Sequence, residues 1–175
     1  MKNYTNKQTI LELIMLSVRT GTDQPIELHS EQYTSMNYGS IVYMKTAIVF
    51  DYLMAYLGEE LYDKCMQAYF EKWKFKHPSP KDLKAVFEDI TVKKLDWFFD
   101  DMIQTTKQLD YAITNVKKEN ETLIIGIKNK GAINGPFVIS GIKNGKKITV
   151  EKFLFKNKGR SYIQKITVNK SLKLI

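Results

Sequence analysis

From Tyr43 the apolar residues Ala47, Phe50, Met54 and Leu57 follow at steps of four, three, four and three, the spacing of one face of an amphipathic helix, and Gly58 then ends it. Tyr38 lies five residues earlier, about 140° away on an α-helix at roughly 100° per residue, so Tyr43 is the better centred of the two on this apolar stripe. Upstream, Lys7 to Arg19 carries Ile10, Leu11, Leu13, Ile14 and Leu16 ahead of Gly21 and predicts a first helix. The polar stretch Thr20 to Thr34, with Gly21, Asp23, Pro25 and Ser30, predicts a connector. Glu59 to Trp73 predicts another helix through Leu61, Cys65 and Tyr69, with Glu59 and Glu60 placed to suit the helix dipole. Ser79-Pro80-Lys81-Asp82 is a helix start, with a capping serine, a proline in the first turn and an acid three residues after the cap. That helix would bury Leu83, Val86, Phe87 and Ile90, and Thr91 would cap a last helix with Leu95, Phe98, Phe99 and Met102 on one face.

Near Asp110 the pattern changes to alternation with β-branched residues: Leu123, Ile125 and Ile127; Phe137, Ile139 and Gly141; Ile148 and Val150; Tyr162, Gln164, Ile166 and Val168. Asn144-Gly145 is a strong hairpin signal and Asn157-Lys158-Gly159 a second turn candidate. The expected architecture is α+β: an all-α part of about five helices over 1–109, then over 110–175 five or six antiparallel strands forming an immunoglobulin-like sandwich that need not be complete.

Composition adds a core and a charge boundary. The 175 residues are 43% hydrophobic and 12% aromatic, ample for a buried interior. Residues 1–110 hold 13 Lys and Arg against 16 Asp and Glu, net −3, and residues 111–175 hold 14 against 3, net +11, consistent with +8 overall. A basic β part invites a polyanion partner. Only two of the 27 basic residues are arginine and there is no basic-aromatic motif of a nucleic-acid fold, so the lysines are read as a solvated surface and no nucleic acid is expected. Cys65 is the single cysteine, read as a small core residue; it forms no internal disulfide and sets no redox compartment. The first apolar run is short and interrupted by Glu12, which argues against a signal peptide or a membrane span and leaves the compartment undetermined.

The chemistry gathers at Tyr38-Gly-Ser-Ile-Val-Tyr43-Met-Lys45. On periodicity alone Tyr43 reads as a core tyrosine whose hydroxyl reaches the surface or a satisfied partner. Tyr38, Tyr43 and Lys45, followed by an apolar helix ending in Leu-Gly-Glu-Glu, resemble the tyrosine segment of the aminopeptidase N family of zinc metallopeptidases, the gluzincins. The resemblance continues in order through Lys74-Phe75-Lys76-His77-Pro78, Asp82-Leu83, Phe87-Glu88 and Leu95-Asp96-Trp97-Phe98-Phe99, and Arg19, Asp23 and Pro25-Ile26 precede the tyrosines as in bacterial members. It covers about Val18 to Tyr111, and the chain after it resembles the β-domain appended to such peptidases.

The resemblance implies that Tyr43, two residues before the lysine, is the catalytic tyrosine, donating a hydrogen bond to the oxyanion formed at the scissile carbonyl, with Tyr38 a substrate-binding candidate. Phenols ionise near pH ~10 in water, so such a group can donate at neutral pH. It further implies zinc as the cofactor of the complete enzyme and a peptide, trimmed at its amino terminus, as substrate. The zinc motif H-E-x-x-H is absent: His29 and His77 are the only histidines, neither has the needed partners, and Thr46 and Ala47 follow Lys45 where the family has glycine or a small residue. In the family all three zinc ligands precede the tyrosine. The expectation is a carboxy-terminal part of a metallopeptidase catalytic domain, binding no metal and inactive alone, whose partner is the missing zinc-binding half, in cis or in trans. The alternative is a non-catalytic helical plus β-sandwich module that binds a peptide or protein partner.

Overall fold

The computed structural model describes residues 7–119, 122–143, 146–153 and 161–167. They fall in two compact units, Met1–Thr106 and Lys107–Ile175. The class is α+β, with helices in the first unit and antiparallel strands in the second.

The first unit opens with α1, Lys7–Arg19. A connector with one short 3₁₀ turn, Ser30–Gln32, leads to a continuous 23-residue helix, Ser35–Leu57. This helix has three parts: α2, Ser35–Gly39; a π-helical stretch, Ser40–Lys45; and α3, Thr46–Leu57. By length and composition it could cross a bilayer. Its residues Val49 and Leu53 are part of a side-chain core. Gly58 turns the chain at φ 88°, a backbone that only glycine adopts without strain, and α4, Glu59–Trp73, starts at once. Before α5, Pro80–Thr91, the Ser79 backbone N–H and hydroxyl both donate to one Asp82 carboxylate oxygen, at 2.8 and 2.7 Å. A second π-helix, Trp97–Ile103, completes the unit.

Leu53, Cys65, Phe87, Leu95 and Phe98 are fully buried at the centre, with Phe50, Leu83, Ile90 and Trp97 packed around them. Each large apolar side chain so buried stabilises the fold by about 1.5–3 kcal/mol. The rings of Phe50, Phe87, Phe98 and Phe99 meet edge to face at 4.9–6.1 Å.

The last helix differs from its predicted form. Thr91 does not cap it; Thr91 closes α5, buried, its hydroxyl donating to the Phe87 carbonyl, and Val92 leaves in a left-handed conformation at φ 52°. Met102 packs half-buried against the core with Leu95, Phe98 and Phe99, and Ile103 beside it is buried.

In the second unit, β1 (Tyr111–Glu119), β2 (Thr122–Asn129) and β5 (Ser161–Thr167) form an antiparallel sheet in the order β1-β2-β5, and β3 (Phe137–Lys143) pairs with β4 (Lys146–Phe153) as a separate hairpin. The pairing of Lys143 with Lys146 flanks the predicted Asn144-Gly145 turn, whose own residues lie outside those described, as do Asn157-Lys158-Gly159 and Val168. Tyr111, Phe137 and Ile139 pack on the buried Ile125 and Ile127, so both sheets share one apolar cluster. Tyr111 donates to the Gly135 carbonyl at 2.9 Å, and its phenol pKa is pushed up to about 12 by burial, against a smaller opposing effect of that bond.

Candidate functional site

The helix that carries the tyrosines is apolar almost all round, so its sequence says little about which side faces inward. The observed inward line is Ile41, Lys45, Val49 and Leu53, and not the line through Tyr43 and Ala47, both of which are exposed. Tyr43, expected at the centre of the buried stripe, leaves 65% of its surface open. Phe50 and Leu57 of the predicted stripe do pack against the core, while Tyr43 and Ala47 do not. The Thr46 N–H donates to the Ile41 carbonyl, five residues back, and the Thr46 hydroxyl donates to the same oxygen at 3.0 Å.

The two tyrosines stand side by side. The rings of Tyr38, in α2, and Tyr43, in the π-helical stretch, meet edge to face with centroids 6.4 Å apart. Tyr33, five residues earlier in the connector, meets Tyr38 in the same way at 6.1 Å. At the inner end of this row the Tyr33 hydroxyl donates to the Pro25 and Ile26 carbonyls, and burial raises its pKa against the opposing effect of a backbone hydrogen bond at Leu28. At the outer end stands Tyr43. An exposed phenol held at the end of a ring row can donate a hydrogen bond to an oxygen that approaches it.

Below the row a polar clamp fixes the turn to the connector. Lys45 donates to both carboxylate oxygens of Asp23, at 2.9 and 2.8 Å, and to the Gln24 carbonyl at 3.0 Å. Buried Asn37 donates to the Thr22 carbonyl at 2.7 Å and to Gln24 Oε1 at 2.9 Å, and Gln24 Oε1 also accepts from the Thr34 N–H at 3.2 Å. Thr34 caps α2 by accepting from the Asn37 N–H at 3.2 Å. The sequence reading gave this clamp no role. Its one signal is a lysine inside a helix too apolar to hold an unpaired charge.

Zinc, implied by the resemblance, does not fit this set of residues. The His29 side chain is 71% exposed and its nearest acid, Glu31, is 4.0 Å away. His77 is exposed on a loop, and among the described residues no three His, Cys, Asp or Glu side chains gather at one point.

Residues 4–102, more than half of the chain, match the peptidase family M1 domain. The chain belongs to the M1 peptidase family. Relatives within M1 include aminopeptidase M1-C of Oryza sativa subsp. japonica, 30% identical over 98 residues that make up 56% of this chain and 11% of the relative. Aminopeptidase M1-A of the same plant is 27% identical over 148 residues, 79% of this chain and 16% of the relative. Aminopeptidase N of Lactococcus lactis subsp. lactis is 26% identical over 100 residues, 57% of this chain and 11% of the relative. The chain thus spans well under a fifth of the length of these M1 relatives. The tyrosine row and the Lys45–Asp23 clamp both lie inside the matched region.

Proposed function

We propose that this chain is the tyrosine-bearing, carboxy-terminal part of the catalytic domain of an M1 aminopeptidase, acting on peptide amino termini when joined to a metal-bearing part. Tyr43 is the residue assigned to the reaction. When water adds to the scissile carbonyl, the oxygen gains negative charge, and the Tyr43 hydroxyl donates a hydrogen bond to it. Because Tyr43 already occupies a fixed turn, little side-chain freedom is lost at the moment of reaction. Tyr38 forms the wall beside it and contacts the substrate. Lys45 and Asp23 act through Tyr43 by holding the turn. The observation that carries this reading is the ring contact of exposed Tyr38 with exposed Tyr43, the latter on a π-helical turn whose Lys45 forms a nearly buried ion pair with Asp23.

Residues 1–109 are then the helical back of the catalytic domain, and residues 110–175 an appended immunoglobulin-like sandwich. The apolar cluster shared by the two small sheets supports that second assignment. The zinc ligands belong to the missing half, in cis or in trans. A second reading, a non-catalytic module that binds a peptide or protein, is favoured by the uncharged groove beside the tyrosine turn.

The test is to assay the purified chain for zinc content and for hydrolysis of an aminoacyl p-nitroanilide. The proposal predicts neither stoichiometric zinc nor turnover. Zinc at one equivalent with turnover would show that no second part is needed. An assembled M1 complex containing this chain but lacking peptidase activity would favour the binding module.

A further inference from the structure

We propose that Tyr33 is a positioning residue of the reaction, ordering the Tyr43 hydroxyl through the intervening ring of Tyr38. This rests on the function proposed above, which assigns Tyr43 to the oxyanion and gives Tyr33 no role.

Tyr33 is held at both ends. At its backbone one side chain, Gln24, donates to the Gln32 carbonyl at 2.9 Å and accepts from the Thr34 N–H at 3.2 Å, so both neighbours of Tyr33 share a single fastening. At the far end the Tyr33 hydroxyl donates to the Pro25 carbonyl at 3.0 Å and to the Ile26 carbonyl. That segment is itself fixed, because the Ile26 and Glu27 N–H groups both donate to the Ile103 carbonyl at 3.0 Å and Ile26 packs against the helical core. A half-buried ring fastened in this way is a rigid reference point.

Tyr43 has the opposite character. It is 65% exposed, and an exposed phenol moves among rotamers unless a neighbour restricts it. The ring against it is Tyr38, itself 44% exposed, with the two planes 74° apart. Tyr38 in turn meets Tyr33 with planes 81° apart. Exposure rises outward along the row, and order reaches Tyr43 from the member that is fastened.

Helix geometry alone explains only the inner half of this row. Tyr33 precedes the Thr34 cap and Tyr38 is the fourth residue of α2, and an apolar pair at these two positions commonly staples a helix start. A staple needs no third ring. The row nevertheless continues to Tyr43 and ends at the hydroxyl assigned to the reaction, where a displacement of about 1 Å can cost on the order of 10²-fold in rate.

The experiment is a double-mutant cycle in the assembled enzyme that contains this chain, with the Tyr43 ring followed by NMR in the full chain after ¹³C labelling of tyrosine. Tyr33→Leu, which removes both ring and hydroxyl, is expected to lower kcat about tenfold with KM little changed, and Tyr33→Phe, which keeps the ring, to lower it less. Beside Tyr43→Phe neither substitution should lower kcat further, because the hydroxyl they position is gone. In the full chain, Tyr33→Leu should move the Tyr43 ring signals towards those of free tyrosine as the ring-current shift from Tyr38 averages out. Parent-like kcat in Tyr33→Leu, losses that multiply with that of Tyr43→Phe, or Tyr43 signals indifferent to Tyr33→Leu would each overturn the proposal. Should Tyr33→Leu fail to fold, Tyr33→Phe completes the same cycle, with a loss that must vanish beside Tyr43→Phe. If Tyr43→Phe keeps the parent kcat, the role of Tyr43 is overturned and this proposal with it, whereas a loss in Tyr43→Phe and none in Tyr33→Leu overturns this proposal alone.

Discussion

The Lys45 ammonium lies 2.8 Å from the Asp23 carboxylate, and the pair leaves only 12% and 10% of the two side chains exposed. These residues are 22 positions apart, so their contact closes the connector onto the π-helical turn. Breaking a buried pair by removing one partner leaves the other charge uncompensated, at a cost of about 3–5 kcal/mol, whereas replacing both partners costs much less. Lys45→Met alone should therefore destabilise the helical unit by about 3 kcal/mol in urea denaturation, and Asp23→Asn combined with Lys45→Met should recover more than half of that. Additive losses in the double variant would show that the two residues act independently.

In the β unit the decisive contact is between backbones. The Lys130 and Gly131 N–H groups donate to the Asp110 carbonyl at 2.7 and 3.1 Å, and those of Ala132 and Ile133 donate to the Gln108 carbonyl at 3.0 and 3.1 Å. A Cβ on Gly131 would overlap the Gln108 carbonyl oxygen and lie 2.7 Å from the Asp110 nitrogen, neither of which can swing aside. Gly131→Ala should cost about 2 kcal/mol or more, the scale of overpacking against fixed neighbours. A Cβ on Gly126 meets mainly the Asn115 and Thr114 side chains, which can rotate away, so Gly126→Ala should cost less. Equal melting temperatures for the two variants would contradict this ordering.

Lys84 links α5 to the second π-helix, with its ammonium 2.6 Å from Asp96 and 2.8 Å from Asp100. Burial pulls the Lys84 pKa down, but the hydrogen bonds and charges of Asp100 and Asp96 outweigh it, and the value rises above the ordinary 10.5. The Lys84 hydrogen bond lowers the Asp96 pKa below 3.8, against a smaller opposing effect of burial. A raised lysine contributes stability that is complete below its unfolded pKa and fades as pH climbs through its folded value. A lowered carboxylate contributes stability that is present above its unfolded pKa and fades as pH falls through its folded value. The acids are 60% and 48% exposed, so the network is worth less than about 1 kcal/mol at neutral pH. Lys84→Met should flatten both the acid and the alkaline flank of the stability curve measured by thermal melts. Flanks as steep as in the parent chain would remove Lys84 from the pH dependence.

Features set by neighbours in sequence were legible in it. The spans Lys7–Arg19 and Glu59–Trp73, the turn at Gly58, the Ser79–Asp82 cap and the burial of Cys65 all follow from local spacing or capping chemistry. The side of the tyrosine helix that faces inward was not legible, because that helix is apolar almost all round. The resemblance singles out Tyr38 and Tyr43, but no spacing rule told that their rings would meet each other and, with Tyr33, form one row. The Asp23 partner of Lys45 was out of reach because no local rule connects residues so distant along the chain.

The measurement that tests the account most directly is turnover by Tyr43→Phe in the assembled enzyme that contains this chain. Tyr43 is largely exposed and the phenylalanine ring preserves the edge-to-face contact with Tyr38, so stability should change by less than about 0.5 kcal/mol. Loss of one oxyanion donor should lower kcat by ~10²-fold or more, with zinc content and KM little changed. Parent-like kcat at full zinc occupancy would contradict the assignment of Tyr43 to the reaction.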